Sequence, residues 1–213
     1  MSLFLRQRCL LPYTQLEYIE GVPTFQVIDT GQPLNYDTVF VSFKWNLFNT
    51  GSHVNYVPIF GTYISETDPC FRLILNNYDW TYRININNNG NKSAAFSNAM
   101  NSESTVNTLT VGSLSGSKYA DYNSHSDTFT LVNEGLTNSN NCFIGECRNY
   151  AIQSSTYANY KLRIYYFRIS VNNVLTRNMI PCKYNGQIGM YDKVTNQFFG
   201  NAGVGNFTAG PEI

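Results

Sequence analysis

The side chains of this 213-residue chain that best suit chemistry are aromatic rings set among neutral amides. In Asn76-Asn-Tyr-Asp-Trp-Thr-Tyr-Arg83, Tyr78, Trp80 and Tyr82 recur at every second residue, so one face of an extended strand would present all three rings. Sugars stack their apolar faces on such rings and hydrogen-bond to neighbouring amides and carboxylates, so carbohydrate recognition is the chemistry these residues suit. The same alternation also describes a packed core face. Residues 118–127 and 148–160 have the composition of loops at a sandwich rim, and they add Tyr119, Tyr122, Tyr150 and Tyr157 to the candidate set.

Catalysis and metal binding are less well served. Glycoside hydrolysis needs two carboxylates held about 5 to 10 Å apart. The glutamates are scattered, and Glu17 and Glu20, three apart, would point to opposite faces of a strand. A serine or cysteine nucleophile needs a histidine base, and the chain has only His53 and His125, each within a polar segment that reads as loop. The glycines of Ala202-Gly-Val-Gly-Asn-Phe207 lack the lysine and following helix of a phosphate loop, and suit tight turns and close strand packing. We expect no enzyme activity. Cys9, Cys70, Cys142, Cys147 and Cys182 form no Cys-x-x-Cys pair, and neither histidine sits at ligand spacing to one of them, which argues against zinc. An odd separation places Cys142 and Cys147 on opposite faces of a strand, so free buried thiols in a reducing cytoplasm are expected. Calcium would need clustered oxygens; Asp68, Asp121 and Asp127 are candidates without ligand spacing, and no resident cofactor is expected.

Charged residues make up 13% of the chain, 14 basic against 14 acidic, where soluble domains carry about 25%. That balance leaves no electrostatic footprint for nucleic acid or an anionic membrane. No segment approaches the roughly 20 apolar residues of a membrane span, so no membrane insertion is expected. Residues 1–12 carry Leu3, Phe4, Leu5 and Leu10, but Arg6 and Arg8 interrupt the apolar run and no small-residue cleavage site follows, unlike a secretion signal. They suit a docking arm that inserts those four side chains into a partner, or else a frayed terminus or extra edge strand.

About a dozen short extended runs fill the rest, a pattern of strands and turns. In residues 38–45, Val39, Val41 and Phe43 alternate with Phe40, Ser42 and Lys44, as a strand with one packed and one wetter side requires. Leu162, Ile164, Tyr166 and Arg168 alternate against Arg163, Tyr165, Phe167 and Ile169, with apolar bulk on both sides, as expected of a central strand. Asn172-Asn173 tolerates left-handed backbone and predicts a hairpin, and Asp192-Lys193 reads as a polar turn before Phe198-Phe199. Helix is a minor ingredient, one turn within residues 93–100. The expected architecture is all-β: a single antiparallel two-sheet sandwich over residues 13–213, preceded by the arm.

The closing segment from Ile180 to Pro211, with Leu16-Glu-Tyr-Ile-Glu20 and Ile28-Asp-Thr-Gly31, resembles the concanavalin A-like (laminin G-like) jelly-roll domains common in tailed phages and gut bacteria. Lys161 to Ser170 looks like that family's long penultimate strand, and Phe143-Ile-Gly-Glu-Cys-Arg-Asn149 like its short Ile-Gly strand. The resemblance runs from about Leu11 to Pro211 and departs at Gly21-Val-Pro-Thr-Phe, in the first hairpin, where a small polar turn is usual. The Glu-x-Asp-x-x-Glu arrangement of the family's hydrolases is absent. The resemblance therefore implies display and binding: a phage virion structural or decoration protein, head-fibre or tail-associated, made in the host cytoplasm. Its arm would dock on other virion proteins, and a homo-oligomer would turn rim loops toward host glycans, where many copies make weak contacts effective. A carbohydrate-binding lectin or adhesin module of a gut bacterium is the alternative, and a glycoside hydrolase ranks behind both.

Overall fold

The computed structural model describes residues 11–34, 38–49, 56–62, 70–76, 81–87, 93–96, 105–114, 117–123, 125–129, 139–147 and 158–213. Among them lie seventeen strands in two antiparallel sheets and no helix. The larger sheet runs β11 (His125–Phe129), β10 (Ser117–Tyr122), β9 (Asn107–Leu114), β4 (Val39–Asn49), β13 (Tyr160–Val171), β14 (Val174–Tyr184), β15 (Gln187–Asp192) and β16 (Gln197–Phe199). Short strands complete it: β1 (Thr14–Gln15) pairs with β14, β2 (Ile19–Gly21) with β13, and β17 (Thr208–Ala209) with β2. The second sheet runs β3 (Ile28–Pro33), β12 (Asn141–Ile144), β5 (Tyr56–Thr62), β6 (Cys70–Asn76), β7 (Thr81–Asn87) and β8 (Ser93–Phe96).

The alternation of β4 sets the layering. Val39, Val41, Phe43, Trp45 and Leu47 are buried, while Phe40, Ser42 and Lys44 are half-buried on the opposite face. Between the sheets Phe43 stacks on Trp45 at 5.1 Å and meets Phe60 and Phe167 edge-on at 5.6 and 5.3 Å, joining β4, β5 and β13 in one aromatic core. In β13 the pairing with β4 shifts between Ile164 and Tyr166, so Tyr165 is an extra residue. Leu162, Ile164, Phe167 and Ile169 therefore all reach the core, and Tyr165 and Tyr166 both stay half-buried. Strict alternation assigned Tyr166 to the same face as Leu162 and Ile164; the bulge corrects that phase by one residue.

The hairpin predicted at Asn172-Asn173 is present, with φ of 51° and 62° at the two residues, and it joins β13 to β14. Three expectations change. Leu16 to Glu20 and Ile28 to Gly31 do not form a first hairpin: β2 belongs to the larger sheet and β3 to the smaller. The chain crosses between sheets through a turn in which Phe25 N and Gln26 N both donate to Val22 O, with Thr24 at φ 69° and its amide bonded to Gly145 O. Ser93 to Phe96, the first half of the segment expected to hold a helical turn, is a strand whose backbone pairs with Tyr82 to Asn85; residues 97–100 lie outside the described residues. Residues 118–127, expected as a loop, are mostly the β10–β11 hairpin turning at Asn123 (φ 48°), which places His125 at the start of a strand.

The closing segment locks the crossing turn. Asn201 Oδ1 accepts from Val27 N and Gly203 N, and Gln26 Nε2 donates to Val204 O. A Cβ on Gly203 would fall on the Phe25 carbonyl, so only glycine lets the two loops approach this closely. Phe207 then fills the core beneath Gly21. Glu17 N donates to Pro211 O and Gly210 N to Tyr18 O, so the described ends of the chain clasp each other. Cys142, Cys147 and Cys182 are buried and in no disulfide, although β12 ends at Ile144, so Cys142 and Cys147 do not share the one extended run on which the spacing argument rested; Cys9 and Cys70 lie outside the residues whose side chains are described.

Candidate functional site

The outer face of the larger sheet, opposite the core, carries a continuous set of aromatic and cationic side chains. Arg163 of β13 pairs across the ladder with Glu20 of β2, and its Nε donates to Glu20 Oε2 at 2.8 Å. The guanidinium lies 4.7 Å from the Tyr18 ring centre and 4.9 Å from that of Phe48, so it is held by charge on one side and by two rings on others. Tyr18 meets Tyr165 at 5.5 Å, and Lys44 Nζ lies 5.3 Å over the Tyr165 ring. Lys44 sits opposite Tyr166, whose ring carries Arg168 at 4.8 Å. Burial raises the Tyr165 hydroxyl above the usual tyrosine range; Arg163 opposes the shift, and Glu17 and Tyr18 reinforce it, so this phenol remains a neutral donor.

Cross-strand register extends the same face over β14 to β16. Arg168 pairs with Asn178, and two-residue steps along β14 bring Ile180, Cys182 and Tyr184 to the outer side, opposite Tyr191, Gly189 and Gln187. Tyr13 and Tyr191 lie 4.3 Å apart and Tyr184 stacks on Phe198 at 5.3 Å. The Phe198 ring rests over Gly189, where a Cβ would meet Phe198 Cζ at 2.8 Å. Burial beneath these rings pushes the Cys182 thiol up to about 12, and it raises Tyr13 too, with Cys182 and Tyr191 adding to the effect. Cys182 is therefore a packing residue, not a nucleophile.

Asp192, read from the sequence as part of a polar turn, is fully buried. Its carboxylate accepts from Asn178 N at 2.8 Å, Val194 N at 3.1 Å and the Thr195 hydroxyl at 2.7 Å, with Arg177 Nε 3.8 Å away. Arg177 Nε donates to Thr30 O at 2.9 Å, which ties β14 to β3 across the two sheets. Glu146 Oε1 caps Cys147 N at 2.7 Å. Glu20 and Asp192 are thus each engaged in holding the fold.

Of the residues singled out from sequence, Tyr78, Trp80, Tyr150, Tyr157, Leu3, Phe4, Leu5, Leu10, His53 and Asp68 lie outside the described residues. Tyr82 lies on β7, paired with Leu75 and Phe96, and Tyr119 on β10, paired with Gly112 and Thr128; their side chains are outside the description. Tyr122 is corrected: it is a core residue, 5% exposed, whose hydroxyl donates to Asn107 Oδ1 at 2.8 Å and whose ring lies 6.2 Å from Trp45. It presents no ring to a ligand at a rim. Asp121 pairs with Ser126 and Asp127 with Ala120, so the register does not set the two candidate calcium ligands opposite each other, and among the described residues no three His, Cys, Asp or Glu side chains converge. The outward set Tyr18, Lys44, Phe48, Arg163, Tyr165, Tyr166 and Arg168 was not singled out as a site. Its signal lay in the alternation of Arg163, Tyr165 and Arg168 with apolar residues, which was attributed to a strand packed on both sides.

Two layered antiparallel sheets closed by this clasp are the laminin G-like, concanavalin A-like jelly roll. The mouse laminin alpha1 chain, domains LG4-5, has the fold at a TM-score of 0.50 and 11% identity, with 82% of this chain and 48% of that chain aligned. The full extracellular region of zebrafish Gpr126/Adgrg6 gives 0.51 and 10%, with 93% of this chain and 27% of that one. An alginate lyase aligns at 0.46 and 9%, over 67% of this chain and 66% of that one. The chain thus spans less than half the length of the first two. No protein-family model and no curated protein matches the sequence. At such identities the likeness is one of fold, and fold alone assigns no activity.

Proposed function

We propose that the chain is a non-catalytic binding module whose outer sheet face takes a glycan. The observation that carries this is the half-buried tyrosine surface formed by Tyr18, Tyr165 and Tyr166, with Arg163 fixed between Tyr18 and Phe48 and Lys44 and Arg168 alongside. Rings of this kind stack sugars, the flanking charges orient hydroxyls, and a β-sheet holds both rigidly. The engagement of Glu20 and Asp192 in structural bonds supports binding over hydrolysis.

The setting we propose is a phage particle, with the chain made in the host cytoplasm as a head-fibre, decoration or tail-associated component. Leu3, Phe4, Leu5 and Leu10 would anchor it to other virion proteins, copies would associate, and host-surface glycan would be the ligand. The resemblance of the sequence to phage-borne domains supports this. Glycan-array binding should fall for Tyr165→Ala and Tyr18→Ala and stay unchanged for Val194→Ala; equal signal for all three would remove the outer-face site. Mass spectrometry of purified particles should find the chain in stoichiometric copies, and glycan binding by a chain absent from particles would favour the lectin or adhesin module of a gut bacterium.

A further inference from the structure

Resting on the binding reading above, we propose that the outer face takes a linear acidic polysaccharide, bearing carboxylate or sulfate groups, laid along β13. The chain as a whole is neutral, 14 basic against 14 acidic residues, and several of the described cations share this face. Lys161, Arg163 and Arg168 are all off the core side of β13, and Lys44 stands across the ladder from Tyr166. Glu20 is committed to Arg163, whereas Lys44, Lys161 and Arg168 have no carboxylate partner among the described residues. Glu17 borders the face near Tyr165, and Asp121 lies three strands from Arg168 through the Ser42–Thr110–Asp121 register.

Two features select a charged sugar chain over a neutral one. Lys44 and Arg168 each lie against a half-buried tyrosine, Tyr165 and Tyr166, so ring and cation form two adjacent units. A pyranose stacked at the ring would set its acidic substituent beside the cation, which uses both parts of the unit. The cations also form a row: from Lys161 to Arg168 the strand advances roughly 20 Å at about 3.3 Å per residue, which suits an extended ligand with repeated charge. The bulge at Tyr165 makes this possible, because it places two consecutive tyrosines off the core side between the cations.

The test is affinity electrophoresis of the whole chain through gels holding dextran, carboxymethyl dextran or dextran sulfate, with oligo(dT) as a fourth arm. We expect retardation by the two anionic dextrans, weakening about tenfold or more from roughly 50 to roughly 200 mM salt, and none by neutral dextran. The double variant Lys44→Ala/Arg168→Ala should lose about tenfold in affinity with its circular dichroism unchanged. Lys44→Glu, a single exposed-side change, supplies the same readout if the double variant unfolds. Retardation by neutral and anionic dextrans alike, insensitive to salt, would overturn the acidic ligand while leaving a glycan site. No retardation by any dextran would overturn both, and oligo(dT) binding as tightly as dextran sulfate would assign the face to single-stranded nucleic acid instead.

Discussion

Two ion pairs hold this molecule by different physics. Glu20–Arg163 is partly exposed, and the Coulomb attraction of such a pair is worth only about 0 to 1 kcal/mol. Its use lies in geometry, since Arg163 fixed by Glu20, Tyr18 and Phe48 fixes those rings in turn. Asp192 is another case: it is fully buried, and Arg177, Thr195 and two backbone amides converge on it. Asp192→Ala leaves those donors and Arg177 unanswered and should destabilise by about 3 kcal/mol. Equilibrium urea unfolding checks this, and a loss under about 0.5 kcal/mol would show that the carboxylate is dispensable.

Among the elements β13 matters most, because it pairs with β4 along its whole length and with both β2 and β14 on its other edge. Its composition marked it as central, and the asparagine hairpin after it was equally plain. The bulge was not, since Tyr165 and Tyr166 are the same residue type and alternation cannot say which is extra. The outer site stayed hidden for the same reason: a strand with bulky residues on both faces reads alike whether its second face meets another layer or a ligand. The burial of Asp192 was not legible, because turn residues are usually solvated and the Arg177 that meets it lies fifteen residues earlier in sequence. Deleting Tyr165 removes the extra residue and should leave Leu162, Ile164, Phe167 and Ile169 alternating onto the core face of a regular strand. Amide dispersion in an NMR spectrum should then be retained; its collapse would contradict the bulge.

At the scale of the molecule, burial raises four acids, Tyr13, Cys142, Tyr165 and Cys182, in the same direction. Each loses its proton more readily when unfolded, so the native state binds more protons and stability falls as pH rises. For Cys182 the window opens near the free-thiol value of about 8.5 and continues to its folded value of about 12. Thermal midpoints should be level through neutral pH and decline above about pH 9, with Cys182→Ser less steep than the parent chain. A flat profile to pH 11 would show that these groups are not sheltered.

The proposed ligand site is the outer face of the larger sheet. Amide chemical-shift perturbation on titrating the labelled chain with carboxymethyl dextran addresses it most directly. We predict that the largest changes map to Tyr18, Lys44, Arg163, Tyr165, Tyr166 and Arg168, with little change at core residues such as Val41 and Phe167. Perturbations centred on residues 77–82 or 148–157, with the β13 face unmoved, would contradict it and return the site to the aromatic segments first marked by their spacing.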